Sequence, residues 1–331
     1  MPEPFIIAEL AQGYEGKPSQ AFALLEAAAR AGADAAKFQL VYAEELATPA
    51  YQHFALFRKL EMPDAAWRDL AARAREASMA FEVDVFGRRS LALAEAIGAQ
   101  AVKVHSTDMG NPGLLAAIAE SSIAEVLLST GGCTPPEIHS AVEMLAAKRV
   151  VLLLGFQGYP TPTAANRILR LREYAVRYPG MRLGFADHAA PEDALSIVLA
   201  AAALGAGATV IEKHLTLDRT LKLEDYESAL NPDEFAAFVR HMRECSQALG
   251  PSAGAGELHA SEMDYRNKTR KHVVATRALA AGTVVRATDL ALKRTGSAAF
   301  IHDAARVVGR RLTRAVGADE AIAPDALEPS K

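Results

Sequence analysis

Residues 209–225, TVIEKHLTLDRTLKLED, decide how the fold of this chain is interpreted. The stretch begins with a short β-branched apolar run and then places Glu212, Lys213 and His214 directly after it. The interior of a buried parallel strand is apolar, so polar groups are expected where the strand leaves the sheet. The upstream stretch LGFADHAA repeats the arrangement, with Asp187 and His188 after an apolar run. Two imidazoles at the ends of neighbouring parallel strands predict a shared metal ion.

Short β-rich segments alternate with alanine-rich segments of helical period through the first 250 residues. The predicted strands are 5–8, 33–38, 80–85, 101–104, 125–129, 150–154, 182–185 and 209–211. The predicted helices are 19–31, 63–78, 90–97, 135–147, 166–178, 191–204 and 232–249. This alternation predicts an α/β fold, an eight-stranded (β/α)8 TIM barrel. A doubly wound open sheet stays as the alternative, because spacing alone does not show that the sheet closes.

A change in composition after residue 250 divides the chain. Residues 1–250 form the predicted catalytic barrel, and the small, polar and Gly-rich stretch 251–270 is interpreted as a linker. Residues 271–331 contain short β-rich runs broken by Ala-Gly turns. A module of this size has little core of its own, so we expect it to pack against the barrel or against a second subunit.

Composition excludes several classes of protein. The chain has 331 residues, half of them hydrophobic, and a net charge of -4, which argues against a nucleic-acid partner. Cys133 and Cys245 are its two cysteines and lie far apart in sequence, so neither a disulfide framework nor a zinc-finger spacing is present. This cysteine usage predicts a reducing, cytoplasmic location, and without a long apolar run or a basic, apolar leader the sequence predicts no membrane span.

Polar residues that follow the predicted strands are expected to meet at the carboxyl-terminal mouth of a barrel. They are Glu9, Gln12, Lys37, Gln39, Asp84, Lys103, Ser106, Asp108, Ser129, Thr130, Gly131, Gln157, Tyr159, Asp187, His188, Lys213 and His214. Three lysines at one mouth predict an anionic ligand, and the Ser-Thr-Gly-Gly turn offers backbone donors for phosphate or carboxylate. The predicted site therefore binds a phosphorylated or carboxylated molecule beside a metal.

Several motifs in this order resemble those of the bacterial sialic acid (N-acetylneuraminate) synthases. They are IIAEL with Glu9, AGADAAKFQ with Lys37 and Gln39, VKVHS with Lys103 and Ser106, LLSTGG with Ser129, GYPTP with Tyr159, GFADH with His188, and IEKHLTLD with His214. The C-terminal module resembles the antifreeze-like (SAF) domain of the same enzymes. Those enzymes condense phosphoenolpyruvate with an N-acylated hexosamine in its open-chain form.

The resemblance implies a role for each matching residue. His188 and His214 would bind a divalent metal, manganese first, with magnesium or cobalt as alternatives, and Glu9 and Asp225 would contact the amino sugar and move protons. Lys37, Lys103, Ser106 and Ser129 would hold phosphoenolpyruvate, Tyr159 would line the sugar pocket, and Gln39, Asp108 and Gln157 are further substrate-binding candidates. Arg294 would reach the sugar's acyl group across the interface of a domain-swapped homodimer.

The chain also departs from the family pattern. Asp84 stands where the family has a phosphate-binding threonine, and Ala186 stands where it has a serine. Asp84 is expected to repel a phosphate unless a cation offsets its charge. Further departures are Gly13-Tyr14 for Asn-His, Gln157 for Asn, Leu223-Glu224 for Gly-Pro, and Thr295 for the Pro of Lys-Arg-Pro-Gly. We expect Thr295 to loosen its loop.

Two other functional classes stay open at this point. The first is an aldolase that forms a Schiff base through Lys37, Lys103 or Lys213. The second is a non-catalytic sugar-binding descendant of the same fold. The remaining histidines are interpreted as structural: His53, His105, His139, His241, His259, His272 and His302.

Overall fold

A computed structural model describes residues 3–155, 158–193, 195–250, 256–296 and 301–329 of the chain. The structure divides into two compact units, residues 1–251 and 252–331. Each is described by itself.

In the described part of the first unit, eight parallel strands close into a barrel. They are β1 Phe5–Ala11, β2 Ala35–Gln39, β3 Ala80–Val85, β4 Ala101–Val104, β5 Glu125–Ser129, β6 Arg149–Gly155, β7 Arg182–Asp187 and β8 Val210–His214. β8 pairs with β1 from Phe5 opposite Val210 to Glu9 opposite His214, which completes the ring. The TIM-barrel prediction is confirmed, and the open-sheet alternative is wrong.

Helices surround the barrel between the strands. They are α1 Pro18–Arg30, α2 Ala43–Leu46, α3 Phe54–Leu60, α4 Asp64–Glu76, α5 Arg88–Ala96, α6 Pro112–Glu120, α7 Pro135–Met144, α8 Arg170–Arg177, α9 Ser196–Gly205 and α10 Pro232–Leu249. The sequence prediction omitted α2, α3 and α6. The first two are too short for a periodic pattern, but α6 carries a start signal, since the Asn111 side chain accepts a hydrogen bond from Leu114 N and Pro112 follows it.

The two faces of the strands differ in chemistry. The outward faces carry apolar residues such as Phe38 and Phe185, which pack with helix residues such as Trp67 into one large core. The inward faces carry charged side chains inside the strands: Glu9, Lys37, Glu82, Asp84, Lys103 and Glu212, all buried. The expectation that polar groups gather only past the strand ends is therefore wrong. Because successive residues of a strand face opposite sides, charged residues at every second position share the barrel interior.

The second unit has its own core. β9 His272–Ala275 and β10 Leu290–Lys293 pair in antiparallel fashion, and residues such as Val273, Leu312 and Ile322 form a separate buried cluster. The predicted linker needs a correction, since its described part contains helix α11, Ala260–Thr269. The Glu262 carboxylate accepts a hydrogen bond from His259 N at the start of this helix, a capping signal that the Gly-rich context obscured.

No helix in the described part of the chain is both long and apolar enough to span a membrane.

Candidate active site

A cavity of about 640 Å³ opens at the carboxyl-terminal ends of the barrel strands. Its lining residues come from the strand ends and from the loops that follow them. They are Glu9, Gln12, Gln39, Leu46, Tyr51, His53, Phe57, Phe86, Lys103, His105, Thr107, Ser129, Tyr159, His188, His214 and Asp225. The barrel thus brings together most of the predicted site residues in one place.

Glu9 and Lys103 form the charged floor of this cavity. Lys103 Nζ lies 2.8 Å from Glu212 Oε1 and 3.5 Å from Glu9 Oε2, while Glu9 Oε1 accepts a hydrogen bond of 2.9 Å from Ala11 N. Burial raises the pKa of Glu9 to about 7, against the lowering effect of the neighbouring lysines. A carboxyl group with a pKa near neutrality can both accept and donate a proton at working pH, so Glu9 suits general acid–base chemistry.

Lys37 does not reach the cavity. Its side chain is fully buried below the floor and is paired with Glu9, with Asp84 Oδ1 at 2.8 Å and with Glu212 Oε2 at 3.4 Å. Burial alone would lower the pKa of Lys37, but the three carboxylates hold it well above the ordinary value. The expected direct contact of this lysine with a ligand is therefore not what the structure presents.

Lys213 also lies away from the cavity. Because it stands between Glu212 and His214 in β8, its side chain points to the opposite face of the sheet. Its Nζ donates to Ala189 O at 2.9 Å and lies 3.3 Å from Asp187 Oδ1, with both side chains fully buried. The expectation of three lysines at the mouth needs correction, since among the described residues Lys103 lines the cavity and Lys37 and Lys213 do not.

The two predicted metal-binding histidines are neighbours on the cavity wall. The ring centroids of His188 and His214 lie 4.9 Å apart, and the ring of Tyr159 lies 6.1 Å from each. Burial lowers the pKa of His188 to about 3 and holds that of His214 well below its ordinary value. Both imidazoles are therefore neutral at physiological pH, as metal ligation requires.

The hydrogen bonding of these rings tests whether a metal would fit. His188 Nδ1 lies 3.0 Å from Ala186 O, and since a carbonyl only accepts, Nδ1 carries the proton and Nε2 carries the lone pair. In metal-ligating histidines the ring nitrogen that does not bind the metal typically donates such a hydrogen bond. His214 Nδ1 is buried without a hydrogen-bond partner in the described structure. Nε2 of His188 and a ring nitrogen of His214 therefore fit a divalent ion that prefers nitrogen and oxygen donors.

No cluster of three or more His, Cys, Asp or Glu side chains in the described ranges is arranged to hold a metal. The two histidines would therefore supply part of the coordination, and water or substrate oxygens would complete it.

Asp225 and Tyr159 close one side of the cavity. The Tyr159 hydroxyl donates a hydrogen bond to the backbone carbonyl of Asp225, which adopts a left-handed conformation with φ of 66°. Burial raises the pKa of Asp225 to about 6, and Glu224 and Glu227 add to this effect. The carboxyl group of Asp225 thus titrates close to neutrality, as a second proton-transfer group would.

The loop after β4 presents different residues from those predicted. His105 and Thr107 line the cavity, whereas Ser106 and Asp108 do not line it in the described structure. Ser106 instead offers its carbonyl to Cys133 Sγ at 3.5 Å, and Asp108 Oδ1 accepts from the Asn111 side chain at 2.9 Å. His105 and Thr107 follow Lys103 at every second position and share its side of the chain, and a 3-10 helix spans Ser106–Asp108.

An aromatic wall, formed by Tyr51, His53 and Phe57, was missed by the sequence analysis. The Tyr51 and Phe57 rings are stacked with centroids 6.1 Å apart, and His53 meets Tyr51 edge-on at 5.5 Å. These residues lie in the long connection between β2 and α4, far in sequence from any strand end. Only the density of aromatic residues in YQHFALF could have indicated them.

The remaining predicted residues fall into separate places. Gln39 and Ser129 line the cavity, and Gln12 Nε2 donates to Gln39 Oε1 at 2.7 Å. Gln157 lies outside the described residues. Tyr14, one of the departures from the family pattern, is fully buried and packs edge-on against Phe38 and Trp67.

Arg294 belongs to the C-terminal unit, where its Nε donates to Thr269 O at 3.1 Å. The adjacent Thr295 Oγ1 lies 2.5 Å from His272 Nδ1, so it ties this loop to β9. A proline side chain could not form this hydrogen bond, and the looser loop expected from Thr295 stays a prediction.

Comparison with known proteins identifies the family. Residues 24–253 match the NeuB family, and residues 270–328 match the SAF domain. The chain belongs to the NeuB family. It is 29% identical over 341 residues to the N,N'-diacetyllegionaminic acid synthase of Campylobacter jejuni, a match that covers 97% of this chain and 99% of the relative. It is 31% identical over 260 residues to the spore coat polysaccharide biosynthesis protein SpsE of Bacillus subtilis, covering 74% of this chain and 68% of the relative.

Among solved structures, the N-acetylneuraminic acid synthetase of Leptospira borgpetersenii, in complex with citrate, superposes with a TM-score of 0.73 at 29% identity. The match covers 81% of this chain and 93% of that chain. The relatives of this NeuB-family chain include synthases of sialic, legionaminic and pseudaminic acids, so the chain is a member of a family of enzymes.

Proposed function

We propose that this protein condenses phosphoenolpyruvate with an N-acylated hexosamine to form a nonulosonic acid and phosphate. The observation that carries the proposal is the convergence, in one cavity, of two neutral imidazoles with Glu9, Lys103 and Asp225. A metal-ligating pair, a cation and two carboxyl groups that titrate near neutrality match the needs of this reaction. Membership of the NeuB family supports the same assignment.

The reaction joins three components. C3 of phosphoenolpyruvate forms a bond to the aldehyde carbon of the open-chain sugar, whose carbonyl oxygen becomes a hydroxyl. Water adds at C2, and the C2–O bond to phosphate breaks. A divalent cation, manganese by preference, would supply Lewis acidity to the aldehyde when held by His188 and His214.

The protein's own groups would hold reactants and move protons. Lys103 and Ser129 would orient the anionic donor, and Glu9, beside Lys103, would transfer a proton at the reacting end of the sugar. Asp225, fixed through its backbone by Tyr159, would face the sugar hydroxyls. Gln39 would add a further polar contact, held in place by its hydrogen bond from Gln12.

Phosphate release provides the test. We expect release that requires both a divalent metal and an N-acylated hexosamine, measured across a panel of amino sugars that includes N-acetylmannosamine. Release without the sugar, or unaffected by chelation of the metal, would contradict the proposal. A protein that binds the sugar and releases no phosphate with any member of the panel would instead be the non-catalytic descendant.

The Schiff-base alternative has little support from the lysine positions. An amine nucleophile must be neutral and must face the substrate. Burial lowers the pKa of Lys213, but its side chain lies on the outer face of β8. Burial would also lower the pKa of Lys103, yet Asp84 and Glu212 raise it, so this lysine stays protonated. Borohydride should therefore trap no adduct in the presence of sugar and phosphoenolpyruvate.

We also propose a domain-swapped homodimer, in which Arg294 reaches the sugar site of the partner subunit. The family resemblance at Lys293–Gly296 supports this arrangement. A cytoplasmic location is a separate prediction, made from cysteine usage. Mixing an Arg294→Ala subunit with a His214→Ala subunit tests the exchange. If the arginine acts across the interface, heterodimers contain one intact site and activity partly returns. If it acts within its own chain, mixing restores nothing.

A further inference from the structure

Asp84 holds a position between the two lysines of the barrel interior. It lies on the inward face of β3, between Lys37 of β2 and Lys103 of β4, and is fully buried. Its Oδ1 lies 2.8 Å from Lys37 Nζ, and its Oδ2 lies 3.6 Å from Lys103 Nζ. One carboxylate therefore bridges both ammonium groups just below the cavity.

In the part of the barrel that the structure describes, both lysines at this level have carboxylate partners. Lys37 has three N–H donors, and three carboxylates, those of Glu9, Asp84 and Glu212, lie around its Nζ. Lys103 is likewise surrounded by the same three groups. Glu82 is a fourth buried carboxyl group on the same inner surface. Two lysines thus face four acids, so the floor carries no surplus positive charge.

From this geometry we propose that Asp84 acts as a built-in counter-ion for Lys37 and Lys103 and so sets how much negative charge the cavity accepts in a ligand. The inference rests on the proposed function, in which an anionic three-carbon donor binds above Lys103. An anion there has Asp84 directly behind the lysine that attracts it. The carboxylate offsets the attraction, and buried charges are screened little by solvent.

Asp84 is therefore a specificity-determining residue. Its ion pairs stabilise the empty site and make a fully charged phosphate a weak ligand, while a neutral sugar is unaffected. Replacement by asparagine keeps the shape and the acceptor oxygen toward Lys37 but removes the negative charge. Lys103 then has one counter-ion fewer and attracts an anion more strongly.

Direct binding to the full-length protein tests this without relying on turnover. Calorimetric titration with phosphoenolpyruvate, inorganic phosphate and N-acetylmannosamine would compare the wild type with Asp84→Asn. We expect the dissociation constants of both anions to fall by about tenfold or more in the variant, as removal of a charge a few ångström away predicts. The constant for the neutral sugar should stay the same.

Glu82→Gln is the matched control. Glu82 lies two residues earlier on the same inner face of β3, but its carboxyl group forms no ion pair with Lys103 among the described contacts. Burial raises the pKa of Glu82 to about 8, so it is largely protonated at neutral pH and its replacement removes little charge. Anion affinity of Glu82→Gln should therefore remain within about twofold of wild type.

The outcomes separate this inference from the proposed function. Unchanged or weaker anion binding in Asp84→Asn overturns the inference, as does an equal gain in Glu82→Gln, which would point to a general field. If Asp84→Asn fails to fold, Asp84→Thr replaces it, with Asp84→Glu keeping the wild-type affinity. A gain in anion binding without any phosphate release in either protein sinks the proposed function and leaves the role of Asp84 standing.

Discussion

Replacing Glu82 with glutamine should stabilise the barrel above neutral pH. The side chain is 2% exposed, and its Oε2 has no hydrogen-bond partner in the described structure. Burial raises the pKa of Glu82 from 4.5 to about 8, although Lys37 acts in the opposite direction. The folded state therefore keeps a proton on Glu82 at a pH where the unfolded chain has released it.

The magnitude follows from this difference in proton affinity. Between pH 4.5 and 8 the folded state binds more protons than the unfolded state, so stability falls as pH rises and levels off above pH 8. Each pH unit in this window contributes about 1.4 kcal/mol, which gives a ceiling of about 5 kcal/mol. Glutamine resembles the protonated acid in shape and charge and loses nothing as pH rises.

Urea denaturation at pH 5 to 9 measures the effect, with fluorescence of the single tryptophan, Trp67, as a probe buried in the barrel. The free energy of unfolding of Glu82→Gln minus that of wild type should be near zero at pH 5 and reach about 2–5 kcal/mol at pH 8 to 9. Glu120→Gln, which removes an exposed acid from α6, should show no such trend. A difference that stays flat with pH, or that favours the wild type at pH 8, would mean that Glu82 is ionised in the folded protein and would refute the reasoning.

Three further predictions concern the cavity. His188→Ala and His214→Ala should each weaken manganese binding, measured by calorimetry, at least about tenfold and should abolish metal-dependent phosphate release. The circular dichroism spectra of both variants should match that of the wild type, and the control His139→Ala, at an exposed position, should behave as wild type. If Asp225 acts as a base, its raised pKa predicts that wild-type activity rises as the pH increases through about 6. Asp225→Asn should lower kcat and remove this rise, and a wild-type pH profile in the variant would exclude the role of Asp225 as a base. Tyr51→Ala, which removes one ring of the aromatic wall, should raise the KM for the amino sugar about three- to tenfold and leave the KM for phosphoenolpyruvate unchanged. Equal effects on the two KM values would show that the wall does not select the sugar.

The sequence predicted the barrel and the two histidines, because strand order and the residues at strand ends follow from local pattern. It misplaced Lys213 because β8 continues to His214 and does not stop at residue 211. Inside a strand, neighbouring residues face opposite sides, so Lys213 cannot share a face with Glu212 and His214. Ser106 and Asp108 were misplaced although the end of β4 was predicted correctly: His105 and Thr107 follow Lys103 at every second position, and these three residues line the cavity.

The aromatic wall could not be predicted for a different reason. Tyr51 and Phe57 line the cavity because the long connection between β2 and α4 folds over the barrel mouth. Nothing in a single sequence shows which connection does so. Stacked rings in such a loop resemble core residues in composition. Only closure of the barrel brings them opposite the strand ends that carry His188 and His214.

The charged interior of the barrel was readable in the sequence of β3, FEVDV, where apolar and acidic residues alternate with period two. Read as a strand, it places Phe81 and Val83 on one face and Glu82 and Asp84 on the other. Four inward carboxyl groups against two lysines cannot all be ionised in a buried space, so the folded protein must retain protons there. An anionic ligand above Lys103 adds to that negative charge. Stability at high pH and tolerance of substrate charge both depend on acids of this inner face, but through different residues: the buried Glu82 lowers stability at high pH, and the ion-paired Asp84 opposes the binding of an anion.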